Sequence, residues 1–370
     1  MAKEVTERLA QYAEIAAVLG VDAVALVPGA NFTRALGHDF MSHERPFVLI
    51  IPAQGAAAAL VPNLELQSWG LVGFKGAVFD WRDQDGYDAG FAALMAHLNL
   101  SVLAVEGQVM RVFVHHALLR AQPDLRIVDA EREISAPRMI KTEEELAAMQ
   151  GAVEISERAL SRTLDGVRLG QTEKQIEQAL VQALFAEGAE GLAFHPIVAA
   201  GAASALPHAT ARANYAVQPG DALLIDFGAR YGGFCADITR TVFLDHVSDE
   251  GRAVYDTVLR ANMAGLAATR AGVPAHAIDD AVISVLEASP YADRIRTKTG
   301  HGVGREVHEA PYIMRGNDMV LPAGTVYTNE PGLYDEGNFG VRIEDDVVIT
   351  ADGYRCLTRF PKALMVLPGR

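Results

Sequence analysis

Two aspartates on facing apolar strands constrain the fold of this chain more than any other feature. An apolar run ends at Asp226, the glycines Gly232 and Gly233 follow, and a second extended run carries Asp237. Paired glycines favour a tight hairpin turn, which places the two carboxylates on one face, directly or diagonally opposed. Carboxylates there repel each other and are costly to bury, so a bound cation would stabilise the pair. Two solvated acids beside a turn are the alternative interpretation.

Further ligand types follow in the second half of the chain. His301 and His308 flank closely spaced glycines, and imidazole is a good ligand for Mn, Co, Zn or Fe. Glu330 precedes a Pro-Gly turn, and Glu344 lies in an apolar strand on the same face as Arg342. Each residue alone can be structural. Together with the hairpin aspartates, four carboxylates and one imidazole can neutralise two divalent cations, a hard set that suits Mn or Mg better than a structural zinc.

Composition excludes several classes of protein. Lys and Arg total 32 against 47 Asp and Glu, a net charge of −15 that disfavours binding to nucleic acid. The most apolar stretch, residues 47–61, is interrupted by Pro52 and falls short of the roughly 20 residues needed to span a membrane. The first twenty residues resemble an amphipathic helix rather than a signal sequence. Two cysteines fit a reducing compartment, so we expect a cytoplasmic protein without membrane or nucleic-acid partners.

The 370 residues suggest two domains, on a prior of about 150 residues each. Residues 1–130 alternate helical and strand patterns, which predicts a small α/β domain with strands at 24–27, 47–51 and 102–105 and a helix at 91–98. Residues 131–141 mix charges with Pro137 and are interpreted as a linker. Residues 142–370 form the second domain, with strands predicted at 222–227, 235–243, 325–330 and 341–350.

Helix signals divide this second domain further. Thr142 is followed by three glutamates, which predicts an N-cap and a helix reaching about Leu164. Thr172 and Gln175 form a predicted capping box for the next helix. A faint internal repeat favours two similar halves with a site between them: Gly170, Ile176 and Ala179 recur 102 positions later as Gly272, Ile278 and Ala281.

In their order along the chain, these motifs resemble the pita-bread metallopeptidases. That family comprises the Xaa-Pro dipeptidases (prolidases), aminopeptidase P and methionine aminopeptidase, together with creatinase. The resemblance covers most of residues 139–370 and includes 194–198 and 204–209 besides the motifs above. Residues 1–130 resemble, more weakly, the creatinase-type domain of prolidases and aminopeptidase P, at 45–46 and 60–65. The resemblance implies a creatinase-like α/β domain followed by an α+β pita-bread catalytic domain.

The resemblance also implies a role for each ligand. Asp226 is expected to be a terminal ligand of one metal, and Asp237 and Glu344 are expected to bridge two metals. His301 and Glu330 are expected to bind the other metal. No ligand departs from the family pattern, which argues against creatinase and against a binding module without activity.

The remaining site residues are expected to contact the substrate. His208 and His308 resemble outer histidines that bind the substrate, and Glu330 is expected to carry a proton to the leaving nitrogen. Arg342 is expected at the substrate site, where it tethers an acid or pairs with Asp345.

The resemblance implies hydrolysis of the peptide bond before proline, by a dipeptidase or an aminopeptidase P. Two metals, with Mn expected and Co or Zn as alternatives, would hold a bridging hydroxide that attacks the scissile carbonyl. A proline-containing peptide is the expected substrate, and the enzyme is expected to be a homodimer. A non-peptide C–N hydrolase or lyase, acting on a creatine-like or compatible-solute substrate, is the alternative.

Overall fold

The chain forms two compact units in a computed structural model that describes residues 2–369. The first unit is Met1–Arg138 and the second is Met139–Arg370. None of the helices within residues 2–369 combines the length and apolarity that crossing a bilayer requires.

The first unit is built around one mixed sheet of six strands, in the order β4-β3-β2-β1-β5-β6. Strands β1 to β3 are buried along their whole length, which explains their unbroken apolar sequences. Alternate residues of β1 enter two separate cores, Val24 and Leu26 on one face and Ala23 and Ala25 on the other. The elements are α1 Ala2–Leu19, β1 Ala23–Leu26, α2 Ala30–Leu36, β2 Val48–Pro52, β3 Ala58–Pro62, α3 Leu66–Val72, β4 Ala77–Trp81, α4 Asp88–Leu98, β5 Val102–Val105, α5 Val112–Ala121, β6 Arg126–Asp129 and α6 Glu131–Met139.

Residues 131–141, interpreted as a linker between the domains, contain helix α6 at Glu131–Met139. Glu131 and Glu133 lie in its first turn, where acids stabilise the helix dipole. Pro137 lies in the last turn, where its missing N–H removes a single i→i−4 hydrogen bond and the helix ends two residues later. The division between the units falls within this helix, after Arg138.

The second unit combines two helical pairs with several sheets. A four-stranded sheet has the order β20-β12-β9-β8, and a five-stranded sheet has the order β14-β13-β15-β18-β19. Smaller sheets have the orders β11-β10-β7 and β16-β17. The elements are α7 Glu143–Gly166, α8 Glu173–Ala186, β7 Gly191–Leu192, β8 Ile197–Ala200, β9 Ala222–Phe227, β10 Ala229–Tyr231, β11 Phe234–Cys235, β12 Ile238–Leu244, α9 Asp249–Ala268, α10 Ala275–Glu287, β13 Gly300–Gly302, β14 Glu309–Ile313, β15 Val326–Asn329, β16 Gly332–Asp335, β17 Phe339–Arg342, β18 Asp345–Ile349, β19 Tyr354–Cys356 and β20 Val366–Leu367.

The two helical pairs share the local geometry that the internal repeat predicts. Both Thr142 and Thr172 form the capping boxes at α7 and α8. Gly170 and Gly272 adopt left-handed conformations, with φ of 84° and 85°, before α8 and α10 respectively. Their N–H groups donate to the carbonyls of Val217 and Leu321, at 3.1 and 2.9 Å. Helix α8 packs on α7 and α10 packs on α9, so the repeat has a structural counterpart.

Two of the predicted strands are interrupted where they approach the candidate site. The predicted strand 235–243 breaks at Ala236 and Asp237, between β11 and β12. The predicted strand 341–350 breaks at Ile343 and Glu344, where the chain passes from β17 into β18 of a different sheet. Glu344 therefore does not lie inside a strand. Because Asp237 and Glu344 lie at these breaks, their side chains do not have to follow the alternation of side chains between the two faces of a sheet.

The hairpin turn has the geometry that its glycines favour. Gly232 and Gly233 have φ of 58° and 77°, the positive values required by a type I′ turn. Asp226 pairs with Thr239 across β9 and β12, so Asp237 lies diagonally from Asp226, as one of the two sequence alternatives predicts.

Gly300 is a position where added volume should disturb the five-stranded sheet. A Cβ there would lie 1.7 Å from the carbonyl oxygen of Thr328, so we expect Gly300→Ala to lower the free energy of unfolding by about 1–3 kcal/mol. Gly166→Ala is the matched control, because a Cβ added at Gly166 would have open space within 4 Å. Urea denaturation of both variants measures the difference, and an equal effect would contradict this packing argument.

Candidate metal centre and active site

The five residues predicted as metal ligands lie together in the second unit. Their ligand atoms form overlapping groups within 4.8 Å, namely Asp226 with Asp237 and Glu344, and His301 with Glu330 and Glu344. The His301 Nε2 atom lies 3.2 Å from Glu330 Oε1 and 3.6 Å from Asp237 Oδ2. Two adjoining ligand groups that share Glu344 are an arrangement suited to two neighbouring cations.

Each predicted ligand lies in a strand, directly after a strand or at a break between two strands. Asp226 lies near the end of β9, and His301 lies in β13. Glu330 directly follows β15, while Asp237 and Glu344 occupy the breaks described above. Strands of several sheets therefore end or break at one place, and this brings the five polar side chains together.

Arg342 holds one of these carboxylates in place. Its Nη2 donates to Asp226 Oδ2 at 2.5 Å, and its Nη1 and Nε donate to Tyr334 and Thr239 at 2.9 Å each. The predicted alternative of a pair with Asp345 is wrong, since Asp345 instead accepts from other cations. All three hydrogen bonds of Arg342 go to other side chains of the protein. This favours a role in holding Asp226 in place over a direct contact with the substrate.

The electrostatics of the cluster favour a cation. Burial raises the pKa of Asp226, although Arg342 opposes the shift. Burial, reinforced by neighbouring carboxylates, raises the pKa values of Asp237 and Glu344 well above their usual range. Burial is the largest influence on Glu330 and acts to raise its pKa, but the hydrogen bond and charge of His301, together with Arg342 and Thr328, outweigh it, so this pKa lies below its usual value.

One buried oxygen in the cluster supports the same conclusion. Among the described residues, Asp226 Oδ1 has no hydrogen-bond partner, and a buried polar atom of this kind calls for a ligand. Buried carboxylates that raise one another's pKa, with one imidazole, are donors for a hard divalent cation. The residues present therefore fit divalent metal ions.

The two outer histidines line the same cavity, which has a volume of about 570 Å³. His308 lies closer to the ligands than its sequence separation suggests, with its ring centroid 3.9 Å from that of His301. Burial, reinforced by His301, lowers the pKa of His308 to about 4, so the ring is neutral near pH 7. A ring nitrogen of His308 also lies within 4.8 Å of ligand atoms of Asp237 and His301. Apolar lining comes from Phe194, Ile197, Pro207 and Val307.

Sequence reasoning missed a buried polar network beneath the ligands. Asn262 Nδ2 donates to the carbonyls of Asn329 and Ile343, at 3.1 and 3.4 Å. These are the residues directly before Glu330 and Glu344, so one amide connects both glutamate-bearing segments. A buried asparagine in an otherwise apolar helix face is the sequence signal that points to such a role.

Two charged residues complete that network. Arg240 Nη1 donates to the Glu344 carbonyl at 2.5 Å, and its Nη2 donates to Asp345 Oδ1 at 2.9 Å. Lys362 Nζ donates to Asp345 Oδ2 at 2.8 Å and to Asn262 Oδ1 at 2.9 Å. Asp346 Oδ2 separately accepts the backbone N–H of Asp237 at 3.0 Å. The chain path of each ligand segment is therefore fixed by buried hydrogen bonds.

The fold and this donor set define a two-domain metallopeptidase, and comparison with known proteins identifies its family. The model of metallopeptidase family M24 matches residues 147–351, and that of the creatinase/prolidase N-terminal domain matches residues 8–140. The chain belongs to metallopeptidase family M24. The predicted family and the predicted fold class, a creatinase-like domain followed by a pita-bread domain, are confirmed.

Individual relatives match over nearly the whole chain. The probable dipeptidase PepE of Mycobacterium bovis is 32% identical over 98% of this chain and 96% of its own. The Xaa-Pro dipeptidase of Lactobacillus helveticus is 31% identical over 90% of this chain and 92% of its own. The crystal structure of a prolidase from Thermococcus sibiricus has a TM-score of 0.92 and 31% identity, covering 98% of this chain and 99% of that one. The chain is thus a hydrolase of peptides, and its family implies divalent metal ions.

The close approach of the two histidine rings gives a test of their separate roles. We expect His301→Ala to lose bound metal, because it removes an imidazole among the carboxylate ligands, and His308→Ala to retain metal while turnover falls about 10²-fold. We expect His208→Ala to behave like His308→Ala. Metal analysis beside turnover measures both properties, with His276→Ala on α10 as the control that keeps both. Loss of metal from His308→Ala, with retention of metal in His301→Ala, would mean that His308 is the metal ligand and His301 the substrate contact.

Proposed function

We propose that this protein is an Xaa-Pro metallopeptidase, which hydrolyses the peptide bond before proline with two divalent ions, Mn being preferred. The observation that carries the proposal is the convergence of Asp226, Asp237, His301, Glu330 and Glu344 in one cavity with His208 and His308. Relatives named Xaa-Pro dipeptidase and prolidase support the choice of substrate.

The cavity lining suits the proline side of such a bond. An Xaa-Pro peptide nitrogen carries a ring and has no N–H to donate. Phe194, Ile197, Pro207 and Val307 offer apolar surface beside the ligands, and burial of a proline ring against them is favourable. The site therefore binds this substrate without requiring the donor that the bond lacks.

The protein groups have separate tasks in the proposed reaction. Divalent ions, when bound, supply Lewis acidity and lower the pKa of a coordinated water. Glu330 is the carboxylate that takes a proton from the attacking water and passes it to the leaving nitrogen, because its side chain is 16% exposed, against 11% for Asp226 and 5% for Asp237. The neutral His308 ring donates a hydrogen bond where negative charge develops on the carbonyl oxygen, and His208 contacts the substrate from the same cavity.

The test combines a substrate panel with removal and return of metal. We expect hydrolysis of Ala-Pro, no cleavage of Ala-Ala at a comparable rate, and no reaction with creatine or a compatible solute. A chelator should abolish the activity and added Mn²⁺ should restore it, since the ions would supply the Lewis acidity and the activated water of the proposed reaction.

Two outcomes would contradict the proposal. Full activity in a metal-free sample would show that the reaction does not require metal. Turnover of the small C–N compounds, with none of Ala-Pro, would favour the non-peptide hydrolase or lyase instead. Asp237→Ala provides a further check: this carboxylate belongs to two of the ligand groups, so its removal should lower the measured metal content to well below that of the wild type.

A homodimer and a cytoplasmic location stay predictions from the sequence. For the homodimer, we expect light scattering at micromolar concentration to give twice the mass of the 39.7 kDa chain. A mass equal to that of one chain would contradict it.

A further inference from the structure

The loop that carries His208 is joined at both of its ends by one buried carboxylate. Glu173 is the first residue of α8, and its exposed fraction is 0%. Its Oε1 accepts the backbone N–H of Ala200 at 2.7 Å, and its Oε2 accepts that of Arg212 at 2.8 Å. Residues 201–211 lie between these two amides. The carboxylate therefore closes a compact surface loop whose ends lie close together.

The arginine at the end of this loop completes the closure. Arg212 Nε donates to Glu173 Oε2 at 2.8 Å, and Arg212 Nη2 donates to Glu173 Oε1 at 2.6 Å, which makes a bidentate pair. The same Nη2 donates to the carbonyl of Ala200 at 3.0 Å. The guanidinium also lies over the ring of Tyr215, with 3.9 Å between its Cζ and the ring centroid. Both ends of the loop thus belong to one ionic group.

The helix itself does not require Glu173 to be buried. An acid in the first turn also stabilises the helix dipole from an exposed position, and Glu143, which is the first residue of α7, is exposed. Burial of a carboxylate is costly unless hydrogen bonds and charge compensate. Within residues 2–369, the carboxylate of Glu173 accepts hydrogen bonds from Ala200 and Arg212 alone. Its burial is therefore linked to the loop and not to α8.

His208 depends on the backbone of this loop for its position. The side chain is exposed and lines the candidate cavity, and its ring forms no hydrogen bond with any residue from 2 to 369. On one side of His208 the loop is anchored by Ser204, whose Oγ accepts the N–H of Gly340 at 2.8 Å. On the other side it is anchored by Arg212. Release of Arg212 would leave one of these two anchors.

We propose that Glu173 is a positioning residue of the active site, which holds the loop that places His208 against the substrate. The inference rests on the proposed function, in which His208 contacts the peptide. Glu173 itself does not line the cavity. Its loss should displace His208 without removing a predicted metal ligand, because none of the ligand groups includes a residue of the loop.

The central experiment removes the carboxylate and the histidine, singly and together, in the metal-loaded enzyme. Glu173→Gln keeps the shape of the side chain but places an NH₂ group opposite donors. We expect its kcat for Ala-Pro to fall about 10-fold with unchanged metal content, since a displacement of about 1 Å can cost about 10²-fold. In the His208→Ala background the same change should lower kcat by less than about 2-fold, because no histidine is left to position.

His308→Ala provides a second background of low activity. His308 lies outside the loop, so Glu173→Gln should again lower kcat by about 10-fold there. An equal loss with and without His208 would mean that Glu173 supports the fold in general, and it would overturn the proposal. A loss that disappears in both backgrounds, or wild-type kcat in Glu173→Gln, would overturn it as well.

Arg212 allows the same test if the change at the buried Glu173 prevents folding. Its side chain is 34% exposed, and Arg212→Gln should show the same dependence on His208. Arg212→Lys should recover part of the activity, because the charge is conserved while the bidentate geometry is lost.

Arg158→Gln is the matched control for the loss of an arginine–glutamate pair. Arg158 Nε donates to Glu187 Oε2 at 2.9 Å, and its Nη2 donates to the Glu187 carbonyl at 3.2 Å. The pair resembles that of Arg212 but joins α7 to the residue after α8, outside the cavity wall. Its removal should leave kcat unchanged. A loss of activity equal to that of Arg212→Gln would overturn the proposal.

Hydrogen exchange measures the loop without any dependence on turnover. Mass spectrometry should show faster exchange of the amides of residues 201–212 in Arg212→Gln than in the wild type, while the amides of α8 and β9 exchange alike in both. Equal exchange throughout would mean that the ion pair does not hold the loop, and it would overturn the proposal.

The outcomes distinguish this inference from the proposed function. If the wild type hydrolyses no Xaa-Pro peptide, the proposed function fails, and the role of Glu173 fails with it. If the wild type hydrolyses Ala-Pro and the loss caused by Glu173→Gln persists without His208, the proposed function stands and the positioning role is wrong.

Discussion

Repulsion among buried carboxylates is the constraint on which the catalytic unit depends. Asp226, Asp237 and Glu344 are buried, and their ligand atoms lie within 4.8 Å of one another. Burial and mutual repulsion make such a group unfavourable unless cations and hydrogen bonds compensate. Arg342 supplies one compensating charge from the protein. The remaining negative charge suits the cluster to divalent metal ions, at a cost to the stability of the fold when no ion is bound.

Further buried charges and hydrogen bonds support the carboxylates from the interior of the second unit. Arg240, Asp345 and Lys362 form a buried ionic group, and Asn262 joins it to the backbone before Glu330 and Glu344. A buried charged group of this kind contributes little net stability, but its directional bonds specify one arrangement of the chain. Helix α9 thus sets the separation of two ligands without contributing a ligand itself.

Local sequence was sufficient for the features that local chemistry determines. The glycine pair predicted the turn and placed Asp226 and Asp237 on one face, although it left direct or diagonal opposition open. The threonine caps predicted the starts of α7 and α8. The breaks at Asp237 and Glu344 were missed, because an apolar run continues through them and only tertiary contacts interrupt the ladder. Helix α6 was missed because Pro137 indicates a break in a helix, whereas the acids of the first turn indicate the start of one. The Asn262 network joins residues far apart in sequence, which no local pattern reveals.

The paired helices described above divide the ligands between two structural halves. Asp226 and Asp237 come from the half that contains α7 and α8, whereas His301, Glu330 and Glu344 follow α9 and α10. Neither half can assemble the site alone, so metal binds only when both are folded and in register. By thermodynamic linkage, a metal at about 1,000 times its dissociation constant adds about 4 kcal/mol to the free energy of unfolding. A bound ion would then join side chains from both halves, and its release would also lower the cooperativity of unfolding.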